Sequence, residues 1–142
     1  MRILGSGDEA VLANVTGEVF DHPIDPRLAR EFLADPRHHI AVAVDAGVVV
    51  GFASAVHYIH PDARPQLWIN QVAVAPTHLR RGLGKALMEA ILGEARRLAC
   101  TEAWVLTDRS NHAAMALYVS AGGIEGADDD PGEGALGYRF RL

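Results

Sequence analysis

The stretch "QVAVAPTHLRRGLGKAL", residues 71–87, decides the fold because it joins a valine-rich strand to a glycine-rich turn and an apolar helix. Pro76 ends the strand, and Gly82 and Gly84 stand where the helix begins. Such a turn presents successive backbone N–H groups at a helix N-terminus, whose partial positive charge favours a diphosphate. Glycine is expected there because a side chain would stand between the backbone and the phosphate oxygens.

Three cationic side chains add full positive charges at the rim of this turn: Arg80, Arg81 and Lys85. A P-loop is excluded, because it needs Ser or Thr after its Gly-Lys pair and Ala86 stands there. A dinucleotide fingerprint needs a third glycine, and Leu87 occupies that position. Two interpretations remain, a diphosphate cradle and a solvated helix start whose basic residues serve solubility.

Helices and strands alternate on both sides of this turn. Apolar spacing predicts a first helix within residues 7–21, and a second helix begins near Pro26 and ends at Asp35 and Pro36. Two prolines predict a loop over residues 60–65. Periodicity also predicts a long helix over residues 82–98 and five strands, the last at a sheet edge: residues 39–45, 48–59, 66–74, 102–108 and 135–142.

A last helix is predicted over residues 111–123, with Asn111 as its cap and two glycines at its end. An acidic turn over residues 127–134 follows it. This order of elements implies a mixed sheet covered by helices.

The composition restricts the function classes. A chain of 142 residues fits one domain, residues 1–142. A net charge of −5 argues against binding of nucleic acid and leaves room for a cationic substrate. No apolar run could span a membrane, no secretory signal is seen, and Cys100 is the single cysteine, so a cytoplasmic protein is expected. The scattered histidines predict no metal site.

Two motifs identify a family resemblance. The first is the turn itself, where the GNAT superfamily of N-acetyltransferases carries Gln or Arg, two residues, Gly, one residue, then Gly or Ala. Here Gly82 and Gly84 match, and Leu79 replaces Gln or Arg. The second is "NHAAMALYVSAGG", which is similar to a later helix of the superfamily at Asn111, Ala114, Leu117, Tyr118 and Gly122.

The resemblance implies an α/β (α+β) fold with one domain. It implies a twisted, mostly antiparallel mixed sheet of six or seven strands, about four helices, and a splay between the fourth and fifth strands. It also implies acetyl-CoA as the cofactor, with its pantetheine arm on the fourth strand and its diphosphate on the turn. The implied cofactor-binding residues are Val72, Ala73, Val74, Leu79, Arg80, Arg81, Gly82, Leu83, Gly84, Lys85, Asn111 and Tyr118.

The chemistry implied is direct attack of an amine on a thioester. Tyr118 occupies the place of the family's proton-donating tyrosine, and the backbone N–H of Val72 is a candidate donor to the developing oxyanion. The amine must lose a proton, yet Gln71, which stands where the most similar branch has Asp or Glu, cannot accept one. Water is therefore expected to carry the proton to one of four groups: Asp108, Glu18, Asp21 or His78.

The branch that the chain most resembles is the aminoglycoside 3-N-acetyltransferases of type I, on the stretches "FDHPID", "HPDARPQLWINQVAVAP", "AWVLTD" and "YVSAGG". A polycationic aminosugar would be attracted by the acidic turn with Asp128, Asp129, Asp130 and Glu133, which could equally be a solvated loop. Ribosomal-protein N-terminal acetyltransferases also resemble the chain, but carry Glu where Leu106 stands.

Three acceptor or function classes therefore stay open: an amine-bearing small molecule such as an aminoglycoside, a protein N-terminus, lysine or polyamine, and an acyl-CoA sensor without turnover. The resemblance also implies a homodimer.

Overall fold

The computed structural model describes residues 1–126 and 134–142. A short 3-10 turn spans Pro76–His78. The acidic residues Asp128, Asp129, Asp130 and Glu133 lie outside the described residues. The elements in chain order are β1 (Arg2–Ile3), α1 (Glu9–Leu12), α2 (Pro26–Ala34), β2 (His38–Asp45), β3 (Val48–His60), β4 (Ala63–Val74), α3 (Leu83–Arg97), β5 (Glu102–Asp108), α4 (His112–Ser120), β6 (Ile124–Glu125) and β7 (Ala135–Arg141).

The strands of the described residues form one seven-stranded sheet in the order β1-β2-β3-β4-β5-β7-β6. Neighbouring strands are antiparallel except β4 and β5, which run parallel. The parallel pair arises because α3 returns the chain from the end of β4 to the start of β5. The predicted mixed, mostly antiparallel sheet flanked by helices is confirmed.

The helices cover both faces of the sheet. Gly51 faces α3, since a Cβ on it would lie 3.2 Å from Leu87 Cδ1. The next residue, Phe52, therefore faces the other side, where it stacks on Phe20 with ring centroids 4.0 Å apart. Each large apolar side chain fully buried in this way contributes roughly 1.5–3 kcal/mol. The face with Phe20 and Phe52 is called the α2 face below.

Helix α2 begins where the sequence predicts. The Asp25 carboxylate accepts hydrogen bonds from the N–H groups of Arg27 and Leu28, at 2.8 and 3.4 Å, and Pro26 occupies the first turn. Leu33 is buried, whereas Leu28 is 56% exposed. Helix α2 therefore presents part of its apolar surface to solvent.

The first predicted helix is much shorter in the structure than in the prediction. Helix α1 has four residues, after which Val15 forms a parallel bridge with Val49 of β3. The N–H of Thr16 donates to the carbonyl of Val49 at 3.1 Å, and Glu18 has a left-handed φ of 68°. The β-branched side chains prefer this extended pairing to a helix, so residues 13–21 form a connection instead.

Two strand predictions were also wrong. The predicted loop over residues 60–65 is a tight turn, because β3 runs to His60 and β4 begins at Ala63. Pro65 is tolerated where the β3–β4 register is irregular. Strand β7 lies between β5 and β6 and is not an edge strand. The two-residue strands β1 and β6 are too short for any periodicity to predict.

A buried polar cluster lies on the α3 side of the sheet. His39 is 6% exposed, its Nε2 lies 2.7 Å from Nδ1 of His57, and its Nδ1 lies 3.7 Å from Oε1 of Glu94. Burial, and secondarily the charge of His57, lower the pKa of His39 to about 4. The imidazole is therefore neutral at physiological pH.

Cys100 is buried in the core, and burial raises the pKa of its thiol. Across the described ranges no helix has both the length and the hydropathy to cross a bilayer. Nor do these ranges group three His, Cys, Asp or Glu side chains as a metal site requires.

Candidate active site

Strands β4 and β5 separate partway along their length. They pair only between residues 66–69 and 102–105. Beyond that point β4 continues to Val74 beside β3, and β5 continues to Asp108 beside β7. The splay predicted between the fourth and fifth strands is confirmed, and it leaves one edge of β4 open.

The main chain of β4 alternates between β3 and this open edge. The N–H of Ala75 donates to the carbonyl of Val50 at 2.7 Å, and the carbonyl oxygen of Ala73 would lie 3.1 Å from a Cβ on Gly51. Ala73 and Ala75 thus direct their peptide groups to β3. By alternation, Val72 and Val74 direct their N–H and C=O groups into the splay. Of the three predicted residues Val72, Ala73 and Val74, therefore, Val72 and Val74 offer main-chain groups to a ligand in the splay, and Ala73 does not.

The turn after β4 has unused hydrogen-bond donors. Among the described residues, none accepts a backbone hydrogen bond from the N–H groups of residues 81–85, and the first helical bond is donated by Ala86 to Gly82. Arg80 and Gly82 both have left-handed φ angles, of 62° and 75°. This conformation turns successive N–H groups toward one concave side, as a phosphate cradle requires. The arrangement matches what an anionic diphosphate needs.

Glycine is required at the two positions of the turn for different structural reasons. At Gly82 a Cβ would meet nothing within 4 Å, so the requirement is the positive φ. At Gly84 a Cβ would lie 3.3 Å from both Cδ atoms of Leu117, so the requirement is the close approach of α4 to α3. The expected screening of phosphate oxygens by a side chain is therefore not the reason visible at Gly84.

The cationic side chains of the turn are free to meet an anion. Arg80, Arg81 and Lys85 are exposed, as is Leu79. None of the three cations takes part in the ion pairs formed within the described ranges. A bound diphosphate would therefore not compete with a carboxylate of the protein.

Helix α4 carries two of the predicted residues and packs against α3 where Leu117 approaches Gly84. Asn111 caps the helix by accepting from the N–H of Ala114 at 3.0 Å. Tyr118 is 5% exposed, with its ring centroid 5.6 Å from that of Tyr138. Its hydroxyl has no hydrogen bond within the described residues and is not among their fully enclosed unpartnered atoms. Burial of the ring raises the pKa of Tyr118.

Gln71 lines a cavity on the α2 face of the sheet. This cavity has a volume of about 320 Å³ and contains Ser54, the cross-strand partner of Gln71, together with apolar residues of α2. A larger cavity of about 570 Å³ shares part of its wall and is lined by Glu9, Glu18 and Asp21. Gln71 thus lines the smaller of two adjoining cavities, and it directly precedes the part of β4 whose edge is open.

The four candidate groups for a proton relay differ in their surroundings. Glu18 and Asp21 are exposed on the wall of the larger cavity. Asp108 accepts from the hydroxyl and the N–H of Ser110, at 2.6 and 2.8 Å, and these bonds lower the pKa of its carboxyl. His78 has both ring nitrogens engaged, Nδ1 by Thr77 and Nε2 by Asp45, each at 2.8 Å. Glu18 and Asp21 are the candidates nearest to the cavities.

A row of aromatic rings, which the sequence analysis missed, lies at the base of the splay. Trp68 and Trp104 pair across β4 and β5 with centroids 5.3 Å apart, and Tyr58 stacks 6.5 Å from Trp104. Asn70 forms a bulge, since Ser54 pairs with Gln71 and Ala55 with Ile69. The bulge brings Trp68 and Gln71 to the same face of the sheet, which simple alternation would not.

Comparison with known proteins identifies a family. The model of the acetyltransferase (GNAT) family matches residues 11–122. The chain is 41% identical over 51 residues to the [ribosomal protein bS18]-alanine N-acetyltransferase of Escherichia coli strain K12. These 51 residues are 36% of this chain. The match spans only 34% of that relative's length.

Two solved structures illustrate the range of similar folds. The NatC complex bound to Gag peptide and CoA aligns with TM-score 0.70 and 23% identity, over 100% of this chain and 99% of that chain. An aminoglycoside acetyltransferase from an uncultured soil metagenomic sample, in complex with sisomicin, aligns with TM-score 0.70 and 20% identity, over 92% and 89% of the two chains. At these identities the likeness is one of fold.

Proposed function

The chain belongs to the acetyltransferase (GNAT) family, and on that premise we propose that it is an acetyl-CoA-dependent N-acetyltransferase acting on a primary amine. The observation that carries the proposal is the open edge of β4, which leads directly into a turn with unused N–H donors and three exposed cations. Acetyl-CoA, when bound, supplies an acetyl group activated as a thioester.

The residues that would hold the cofactor follow from this geometry. The main-chain groups of Val72 and Val74 face the splay and would pair with the pantetheine arm as a strand does. The N–H groups of residues 81–85 would receive the diphosphate, and Arg80, Arg81 and Lys85 would neutralise its charge. Leu79, Leu83 and Asn111 stand at the borders of the same surface.

Two groups of the chain would act on the reacting thioester. The N–H of Val72, directed into the splay, would donate to the oxygen on which negative charge develops. Tyr118 would donate the proton that the departing thiolate requires. Because burial raises the pKa of Tyr118, its hydroxyl keeps that proton at neutral pH and remains a donor.

The proton of the incoming ammonium needs a different acceptor. Gln71 lies beside the open edge but has no basic atom, so it would hold a water molecule. We assign the final acceptor to Glu18 or Asp21, which line the adjoining cavity. Asp108 is disfavoured because its hydrogen bonds with Ser110 lower its pKa.

The acceptor has two candidate classes. An aminoglycoside is supported by the fold shared with a sisomicin-bound acetyltransferase and by the carboxylates of the larger cavity. A protein N-terminus is supported by the bS18-alanine N-acetyltransferase and the peptide-bound NatC complex. Leu106, exposed at the open edge of β5, replaces the acidic residue that the resemblance implies for N-terminal acetylation.

The proposal includes a cytoplasmic homodimer. The edge strands β1 and β6 are two residues long, and the resemblance implies pairing through sheet edges or last strands. Size-exclusion chromatography with light scattering tests this part, and a mass of 15.2 kDa would refute it.

The cofactor site is tested by calorimetry with CoA and by release of free thiol from acetyl-CoA in an amine panel. Arg81→Gln should weaken CoA binding by at least about tenfold, because a charge-assisted bond to phosphate is worth about 1.5–3 kcal/mol. Arg96→Gln is the matched control, since Arg96 is an exposed cation at the opposite end of α3, in its last turn. No CoA uptake would refute the proposal, and uptake without thiol release for any amine would identify an acyl-CoA sensor.

A further inference from the structure

The smaller cavity beside Gln71 has an apolar body and one polar end. Nine of its twelve lining residues are apolar: Leu12, Phe20, Pro23, Ile24, Leu28, Ala29, Phe32, Ile40 and Phe52. The polar lining residues are Asp25, Ser54 and Gln71. The rings of Phe20 and Phe52, stacked with centroids 4.0 Å apart, form one wall. The cavity is therefore a shaped site for an apolar group.

The polar end of the cavity lies next to the open edge of β4. Ser54 and Gln71 are cross-strand partners, and Gln71 directly precedes Val72, whose main chain faces the splay. The side chains of Ser54 and Gln71 form no hydrogen bond within the described ranges, so both are available to an amine or its water. Asp25 is different, since its carboxylate already caps α2.

From this polarity we infer that the acceptor is a primary amine carried by an apolar group, which enters the cavity among Ile24, Leu28, Phe32 and Phe52. The inference rests on the proposed acetyltransferase activity and specifies its substrate class. The amine meets Ser54 and Gln71 at the polar end. A volume of about 320 Å³ fits a branched aliphatic or single-ring aromatic group of this kind.

Burial energetics decide between this acceptor and an aminosugar in this cavity. A ring bearing several hydroxyl and ammonium groups would lose water around each of them against apolar walls, at a cost of about 1–3 kcal/mol for each unpaired group. An apolar group instead gains about 25 cal/mol for each Å² removed from water. The cavity thus selects against the polar acceptor.

Leu28 provides the test position because it lines the cavity and yet is 56% exposed, so its replacement spares the core. The substitution Leu28→Gln keeps the size and helix propensity and removes the apolar contact. Val119→Gln is the matched control, since Val119 is an apolar residue of α4 that is 58% exposed and lies outside the cavity.

The experiment compares kcat/KM, by thiol release from acetyl-CoA, for 2-phenylethylamine, 2-methoxyethylamine and sisomicin. The wild type should prefer 2-phenylethylamine by at least about tenfold, the range expected of one hydrophobic pocket. Leu28→Gln should lower the ratio of kcat/KM for 2-phenylethylamine to kcat/KM for 2-methoxyethylamine about fivefold, whereas Val119→Gln should leave this ratio unchanged. Peptides beginning with Leu or Ser form a second arm, which distinguishes a protein N-terminus from a free amine as the source of the apolar group.

A binding measurement separates this inference from the activity on which it rests. Titration of 2-phenylethylamine, with and without CoA, should shift the NMR signals of the Ile24 and Leu28 methyl groups. The inference would be overturned if kcat/KM for 2-methoxyethylamine or sisomicin equalled or exceeded that for 2-phenylethylamine, or if the methyl signals did not shift. Either result would leave the proposed acetyltransferase activity intact. Absence of both CoA uptake and thiol release would overturn the activity and this inference with it.

Discussion

Replacing Gly82 by alanine should destabilise the protein, whereas the same replacement at Gly93 should stabilise it. Gly82 has a φ of 75°, and Gly93 lies inside α3 with nothing within 4 Å of a built Cβ. Neither methyl group meets a steric clash, because the space at Gly82 is also open. The difference between the two variants therefore isolates the backbone conformation.

The magnitudes follow from the two conformations. An alanine held at a left-handed φ costs roughly 1–2 kcal/mol, offset by about 0.4–1 kcal/mol from the reduced freedom of the unfolded chain. In a helix interior the change from glycine to alanine gains about 0.5–1 kcal/mol. The two variants should therefore differ by about 0.5–2.6 kcal/mol, or about 2–8 °C in Tm for a chain of this size.

The turn also predicts a difference in ligand binding. If Gly82→Ala relieves its strain by rotating the turn, the N–H groups of residues 81–85 leave the concave side, and restoring them on binding costs about 1 kcal/mol. Calorimetry should then report CoA binding about fivefold weaker for Gly82→Ala and unchanged for Gly93→Ala. Gly82→Asn should restore part of the loss, because asparagine tolerates the left-handed region. Stabilisation by Gly82→Ala, with full CoA affinity, would refute the role of this turn.

Tyr118→Phe should lower kcat by about 100-fold or more, because the general acid is lost. The CoA affinity should stay within about twofold of the wild type, since removal of the hydroxyl breaks no hydrogen bond within the described residues. An unchanged kcat in steady-state assays would exclude the phenol as the acid. Gln71→Glu should raise kcat/KM near neutral pH and add an acidic limb to the pH–rate profile, and a variant no faster than wild type would show that a missing carboxylate does not limit the rate. His39 has a folded pKa of about 4 against an ordinary value of 6.5, so the unfolded chain binds the proton more readily and stability falls as pH drops from 6.5 toward 4. At pH 5 the free energy of unfolding should be lower than at neutral pH by about 2 kcal/mol. Urea denaturation should show this loss for the wild type and for His60→Gln, in which an exposed histidine is replaced. The loss should be absent in His39→Gln.

Much of the fold follows from local patterns in the sequence. Strands β2, β3 and β5 and helices α2 and α3 alternate or repeat with the right period, and their ends coincide with prolines, glycines or caps such as Asp25. The first helix failed because its apolar spacing cannot show that Val15 finds a partner in Val49. That pairing is a tertiary contact, which overrides local preference.

The candidate site divides in the same way. The turn with Gly82 and the cap at Asn111 are local, so the sequence predicts them. The apolar cavity is not local, although the alternation of β3 does put Phe52 and Ser54 on one face. Which helix covers that face depends on the packing of α2, and the bulge at Asn70 shifts every later residue of β4 by one position. Neither leaves a signal in a periodic pattern.

The short ladder between β4 and β5 has a mechanical consequence. Within the described residues, four residue pairs join β4 to β5 in the sheet, and beyond them the facing edges of the two strands are unpaired. A ligand in the gap between these edges would form hydrogen bonds that the two strands do not form with each other. Ligand binding and the free energy of unfolding are therefore thermodynamically linked. At a concentration one hundred times its Kd, such an occupant would add about 2.7 kcal/mol to the folding free energy. A ligand bound between β4 and β5 would thus contribute to the stability of the sheet as well as take part in the reaction.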